Sequence, residues 1–326
     1  MPMTGTTTST SGFSDLVTQL VVAQAEEELR ARAVHAMPGM YVPGRFVKGT
    51  NTIRFARYAD LGLASVTAVL SEGVAPTDQG LSISSEFYTA AQYGGTVAIS
   101  DLANLDSPHD LISVAAERIA YQATRLMDVL VRDQIHAGVD TGAIFTATAS
   151  ATVAANGATA LAPLNGWQVK RMVASLKAAN VPTFPDGFYR CIIHPNQEFD
   201  LLTDTTANGW IELNKYVSDL PALTNEIGRF AGVRFITSSD AHRAATTAPT
   251  TYAASGANYQ ALFLAPDAYT IGDSQTLQSY FVAPGGDHTD PLAQKALLGF
   301  KMRWGSMLID AAGARYRVLR TTSTIS

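Results

Sequence analysis

The sequence predicts an α+β chain with a projecting β-arm, one long helix and a compact unit of alternating helices and strands. Three observations carry this. Residues 52–58 and 81–99 alternate polar with apolar or aromatic side chains, as half-buried strands do. Ile112, Ala115, Ile119, Ala123, Leu126 and Leu130 recur at spacings of three and four, the stripe of an amphipathic helix. Between residues 165 and 265, helical periods alternate with short apolar runs, the order of an α/β unit.

Taken from the N-terminus, residues 1–12 are rich in Thr and Ser and are expected to be mobile. Residues 14–35 turn helical, with Leu16, Leu20 and Ala23 on one line, and Met37-Pro38-Gly39 ends the run. The two predicted strands of the arm are separated by Gly62, Gly73, Pro76, Asp78 and Gly80, which is turn chemistry. A two-stranded ribbon has little core of its own and is marginal in water, so it is expected to lie on another surface.

The long helix is expected to open at Ser107 as N-cap with Pro108 at the first helical position, and to stop at Gly138. About 30 residues at about 1.5 Å each give a rod of roughly 45 Å, a spine against which other elements pack. Residues 139–163, rich in Ala, Thr and Gly, form a loop or hairpin insertion. A second helix starts at Asn165 or Gly166 and buries Val169, Met172, Val173 and Leu176; Pro182 marks its end. Strands follow at 188–193, 232–236 and 261–265, with a helix opened by His194-Pro195 after the first. Residues 294–319 alternate again as strands.

The chain has 326 residues, 47% hydrophobic and only 16% charged, with a formal net charge of −5. A charged share well under the usual value of about 25% suits a protein that buries large areas against copies of itself. A dedicated nucleic-acid binder would carry a basic excess, so any contact with nucleic acid is expected to be non-specific. The lone Cys191 excludes an intrachain disulfide and sits in an apolar strand, the setting of an inert buried thiol. The first residues lack a basic and then apolar signal pattern, and no apolar run is long enough to span a bilayer, so no membrane association is expected.

None of the six histidines forms a His-Glu-x-x-His pair. His288 with Asp287 and Asp290 has ligand chemistry, but a solvated loop after Gly285-Gly286 is the simpler reading. His194-Pro195 has the place of a catalytic base at a strand end, against the simpler reading of a strand-to-helix turn. The glycines flanking Arg229 resemble a phosphate cradle but lack a following lysine or hydroxyl pair, so a tight packing turn is preferred. No catalytic, cofactor or metal site is expected. Arg45, Lys48, Arg54 and Arg57 make the root of the β-arm basic. They are either a solvated strand face or partners for acidic residues of a neighbour, with Glu117 and Asp133 as candidates. Glu72 and Arg229 complete the candidate inter-subunit contacts.

Four stretches, in this order, resemble the N4-like group of tailed-phage major capsid proteins. They are 71–76 with 92–94 and 100–102, the helix end at 128–133, Ile192-Ile193-His194-Pro195, and 226–235. The resemblance spans roughly residues 45–320 and implies the fold named for phage Hong Kong 97. It implies an N-terminal arm over 1–45 and an extended loop over 46–100. A peripheral domain would take 101–145 and 286–326, and an axial domain 146–285. It implies a shell protein of the virion, assembled in the host cytoplasm, whose partners are itself in hexamers and pentamers, a portal, a separate scaffolding or decoration protein, and the packaged DNA. In the phage that names the fold a loop lysine is crosslinked to a neighbour's asparagine. Here the only lysine before Lys170 is Lys48, at the loop's root, so a shell held by non-covalent overlap is expected. The rival readings are an encapsulin-type compartment shell and, more remotely, a soluble hydrolase using His194 or the His288 loop.

Overall fold

The computed structural model describes residues 33–36, 40–41, 52–58, 73, 80–108, 110–138, 143–149, 152–155, 161–204, 226–245, 248–252, 258–286, 290, 292–309 and 315–325. The helix expected over 14–35 lies outside them except for its last three positions, as does the turn-rich stretch between the arm's strands except for Gly73 and Gly80.

In chain order the strands are β1 (Met40–Tyr41), β2 (Thr52–Tyr58), β3 (Ile83–Thr89) and β4 (Ala91–Ser100), followed by helices α1 (Asp101–Asp106) and α2 (Leu111–Ala137). Then come β5 (Ile144–Ala149), β6 (Thr152–Ala155), α3 (Gly166–Ala178), β7 (Tyr189–Ile193), α4 (Pro195–Leu202), β8 (Glu226–Phe230) and β9 (Val233–Thr237). The last six are β10 (Arg243–Ala245), β11 (Ala248–Tyr252), β12 (Asn258–Leu264), β13 (Tyr269–Val282), β14 (Lys295–Leu308) and β15 (Tyr316–Thr321).

They form three sheets. A four-stranded sheet runs β1-β13-β14-β4, a nine-stranded sheet runs β6-β5-β15-β12-β7-β9-β8 with β10 attached to β12 and β11 to β10, and β2 pairs with β3 as a separate ribbon. The spine helix α2 lays Ala116, Ile119, Ala123, Val131 and Ile135 into a core shared with Leu298, Phe300, Met302 and Trp304 of β14. The same core takes Ile192, Ile236, Leu262 and Val318 from one face of the nine-stranded sheet. The other face, with Cys191, Ile193, Phe235, Phe263 and Leu319, packs under Val169, Met172, Val173 and Leu176 of α3. Alternate residues of one strand thus enter two different cores, which is why these strands appear in sequence as unbroken apolar runs.

Two boundaries differ from the sequence reading. Asp110, not Ser107, caps the spine, its Oδ1 accepting from the Ile112 amide at 3.1 Å. Residues 101–106 form a helix of their own, and the Ser107 amide closes it by donating to the Ala103 carbonyl. The C-terminal stretch also divides. β14, buried on alternate residues, lies beside β4, whereas β15, buried at all six positions, lies between β12 and β5. β13, which the resemblance places in the axial domain over 146–285, pairs with β14. Strand alternation alone does not say which sheet a strand joins; covering both faces of β15 requires the larger one.

The α3 start follows its sequence. Asn165 accepts from the Gln168 amide at 3.0 Å while the Gln168 side chain accepts from the Asn165 amide at 3.1 Å, a reciprocal cap. The glycine-rich 226–232 stretch is a strand and a turn: Ala231 (φ 51°) and Gly232 (φ 85°) both take the left-handed conformation that a two-residue hairpin between β8 and β9 needs.

Candidate inter-subunit surfaces

The β2–β3 ribbon pairs in register from Thr52 opposite Thr89 to Tyr58 opposite Ile83. Side chains alternate across a strand, so Tyr58, Ile83 and Phe87 share one face of it. They are 60%, 57% and 60% exposed. On the other face Tyr88 is buried and anchors the ribbon's base. A Cβ on Gly305 would come within 3.0 Å of the Thr89 carbonyl and 3.1 Å of the Tyr88 ring, so a glycine there lets β14 approach the ribbon. Fully burying one such apolar side chain is worth about 1.5–3 kcal/mol. The exposed face is therefore a surface that another molecule can cover with substantial gain.

The contact candidates named from sequence are spread over the chain. Arg45, Lys48 and Glu72 lie outside the described residues. In the ribbon's register Arg54 stands opposite Phe87 and Arg57 opposite Ser84. Glu117 is exposed on the spine. Asp133 accepts from Arg132 Nε at 2.8 Å, and Arg229 lies 3.7 Å from Glu226 and over the Phe188 ring. These two are engaged within their own chain.

Sequence reasoning did not single out a polar junction along the spine. Asp128 accepts from both the backbone amide and Nδ1 of His35, each at 2.7 Å, and Tyr269 donates its hydroxyl to the His35 carbonyl. Burial pushes the Asp128 carboxyl up, but the charge and hydrogen bonds of His35 outweigh it and hold the group below its ordinary value. One turn further on, Arg132 is buried and donates to the Asp240 carbonyl at 2.7 Å, while Arg125 clasps the Asp240 carboxylate with two bonds of 3.0 and 2.8 Å. At the end of the helix His136 stacks on His242, ring centroids 3.9 Å apart. Burial holds His136 well below the ordinary histidine range, aided by the charges of His242, His35 and Arg132 and opposed by a hydrogen bond with Gln260. Only the spacing Arg125, Asp128, Arg132, His136, one polar position per turn on an otherwise apolar face, signals this row in the sequence.

His194 caps α4: its Nδ1 accepts from the Asn196 amide at 3.1 Å, and its own amide donates to the Gln197 side chain. Burial, with the nearby Arg243 charge, lowers its pKa to about 4 against the pull of Asp240. A cap bound in this way is a structural group. Burial likewise pushes the Cys191 thiol well up, which disfavours the thiolate that reactive cysteines use. His288 and Asp287 lie outside the described residues; Asp290 accepts from the Lys295 amide at 2.9 Å. Among the described residues no helix is long and apolar enough to cross a membrane.

The model of the phage capsid protein family matches residues 83–317, which is most of the chain. The chain belongs to the phage capsid protein family. The capsid protein is similar in structure to the capsid chain of cyanophage P-SCSP1u, with TM-score 0.65, 17% identity, and 90% of each chain covered. It is similar to that of cyanophage Pam1, with TM-score 0.67, 12% identity, and 91% and 94% covered. It is also similar to that of Ralstonia phage GP4, with TM-score 0.66, 13% identity, and 91% and 90% covered. A comparison with curated proteins finds no match in sequence. The fold is the α+β Hong Kong 97 type expected from sequence, and the protein builds the phage head shell.

Proposed function

We propose that this is the major capsid protein of an N4-like tailed phage, a non-enzymatic subunit that assembles in the host cytoplasm into hexamers and pentamers around a double-stranded DNA genome. The observation that carries the mechanism is the ribbon of β2 and β3, off both sheets, with Tyr58, Ile83 and Phe87 presented on one face. A neighbour's surface under that face supplies the core the ribbon lacks. Residues 1–45 act as the N-terminal arm and 46–100 as the extended loop. Residues 101–145 with 286–326 correspond to the peripheral domain and 146–285 to the axial domain, with the placement of β13 and β15 noted above.

The arm's Arg45, Lys48, Arg54 and Arg57 meet acidic residues of a neighbour, Glu117 being the exposed one on the spine. Individual exposed pairs contribute about 0–1 kcal/mol, and the closed shell multiplies them. Overlap, not a covalent weld, holds the lattice. The net charge of −5 lets the wall face DNA without gripping it. A portal and a separate scaffolding or decoration protein complete the head.

Electron microscopy of the purified protein tests this reading. Closed shells or rings of five and six subunits are expected. A compact monomer at every salt and protein concentration tried would overturn it.

A further inference from the structure

Between the spine and the ribbon lies a helix that its own fold leaves bare. α1 (Asp101–Asp106) has no buried residue. Leu102 and Leu105, three apart and hence on one face, are 66% and 80% exposed. Asp101 and Asp106 close the helix at either end, roughly 7.5 Å apart along its axis. The charge around it is one-sided: from Tyr58 to Glu117 the chain carries Asp60, Glu72, Asp78, Glu86, Asp101, Asp106, Asp110 and Glu117 and no lysine or arginine.

The complementary surface is on the four-stranded sheet, on the side away from the spine. Leu298, Phe300 and Met302 of β14 point into the core, so Leu297, Gly299, Lys301 and Arg303 point outward. Opposite Gly299 and Lys301 stand Thr96 and Gly94 of β4, and opposite Gly299 on the other side stands Tyr280 of β13. The strands approach closely at these glycines: a Cβ on Gly94 would meet the Phe300 carbonyl at 2.7 Å, and one on Gly299 the Thr96 methyl at 2.9 Å. The result is a trough of about 530 Å³ walled by Tyr280, Val282, Leu297 and Thr96, with Lys301 on its rim. Arg303 continues the rim two residues on, roughly 6.8 Å from Lys301. Among the described residues neither cation has an ion-pair partner.

We infer that α1 of one subunit docks in this trough of a second copy, Leu102 and Leu105 entering between Tyr280 and Thr96 while Asp101 and Asp106 pair with Lys301 and Arg303. The inference rests on the shell reading and deepens it by naming two surfaces that meet. The match is of shape, apolar pair to glycine-floored trough, and of charge, two carboxylates to two cations at similar spacing. Because the two patches differ, the contact is head-to-tail, the kind that closes into rings.

Cysteine crosslinking of assembled particles tests it. Cys191 is fully buried, so a chain carrying Leu105→Cys and Leu297→Cys presents only the engineered pair to a short bismaleimide. A ladder of covalent multimers is expected, absent from either single variant. Particles that yield only monomers would overturn the docking while leaving the shell reading intact; wild-type protein that forms no particles would overturn both. If Ile83→Cys pairs with Leu297→Cys in place of Leu105→Cys, the trough belongs to the β-arm and the inference is wrong. As a second measurement, reversing Asp101 and Asp106 to Lys, or Lys301 and Arg303 to Asp, lowers particle yield at least about tenfold each. The four changes together restore it. Retained yield in the separate reversals, with folding confirmed by denaturant melts, would overturn the pairing.

Discussion

Replacing Asp128 with Ala tests whether the row of polar groups on the spine holds residues 33–36 in place. The Asp128 side chain is 7% exposed and that of His35 1%, so neither can turn to water when its partner is lost. The substitution strips the acceptor from the His35 amide and from Nδ1, both at 2.7 Å. Each orphaned buried group costs about 1–3 kcal/mol. Relief from burying the carboxylate returns part of this, and breaking one side of a buried pair costs about 3–5 kcal/mol in total. Asp128→Asn keeps an oxygen for the amide and is expected to cost about 1–3 kcal/mol. Urea melts of the unassembled chain measure both. Limited proteolysis adds a local reading, since cleavage within 33–36 is expected to quicken in Asp128→Ala. An Asp128→Ala chain within about 0.5 kcal/mol of wild type with unchanged proteolysis would refute the assignment of this pair as a clamp.

Ala231 holds φ 51°, which costs a residue with a side chain roughly 1–2 kcal/mol. Ala231→Gly removes that cost against a backbone-entropy penalty of about 0.5–1 kcal/mol, and a small rise in melting midpoint is expected; a fall would contradict the turn assignment. Phe87→Ser changes a side chain 60% exposed, so monomer stability should move by no more than about 0.5 kcal/mol while particle yield drops in sedimentation; a loss of monomer stability with normal assembly would reverse the reading of the ribbon face. Stability should also decline as pH falls. The folded state holds His136 well below, and His194 at about 4 against, an ordinary value of 6.5, so the unfolded chain takes up protons first and the loss begins near 6.5, the His194 part of it running down to about 4. Urea midpoints at steps through that range check it, and His136→Phe should reduce the slope of the curve below 6.5.

The strand and helix content was legible because periodicity survives whatever the tertiary partners are. Residues 52–58 alternate and form β2 over those same positions; Asn165 and His194 sit three residues before glutamines and form reciprocal caps. What the sequence hid was decided by partners distant in the chain. β15 enters the larger sheet because β5 and β12 flank it, and nothing within residues 316–321 distinguishes that from a place beside β14. Ser107 and Asp110 are both good N-caps, and the short helix before them, not their chemistry, decides which is used. Of the contact candidates, Asp133 and Arg229 were named for their charge, which gave no sign that Arg132 and Glu226 engage them. The row Tyr58, Ile83, Phe87 was visible as a strand pattern but not as an exposed face, because alternation marks two faces without saying which one is covered.

The two sheets and the ribbon differ in how readily each can move, and that bears on how one subunit fits unequal positions in a shell. The core under the spine mixes Ile119 and Ile135 with Leu298 and Phe300 of one sheet and Ile192, Ile236 and Leu262 of the other. Rotating the sheets apart would expose several of these at about 1.5–3 kcal/mol each. The ribbon pairs only with itself over seven residues a side, and a lone two-stranded ribbon is marginal in water. Re-aiming it beyond its buried Tyr88 anchor uncovers little, so adjustment between neighbours falls on the ribbon's outer part while the body stays rigid. Hydrogen exchange separates the two. In the unassembled chain, ribbon amides should open with a free energy near zero while those of β7, β12 and β15 approach the global value. In particles the ribbon should become protected as a neighbour covers Tyr58, Ile83 and Phe87. Equal protection of ribbon and body amides before assembly would mean that the ribbon is already held by its own chain, and the compliance would have to lie elsewhere.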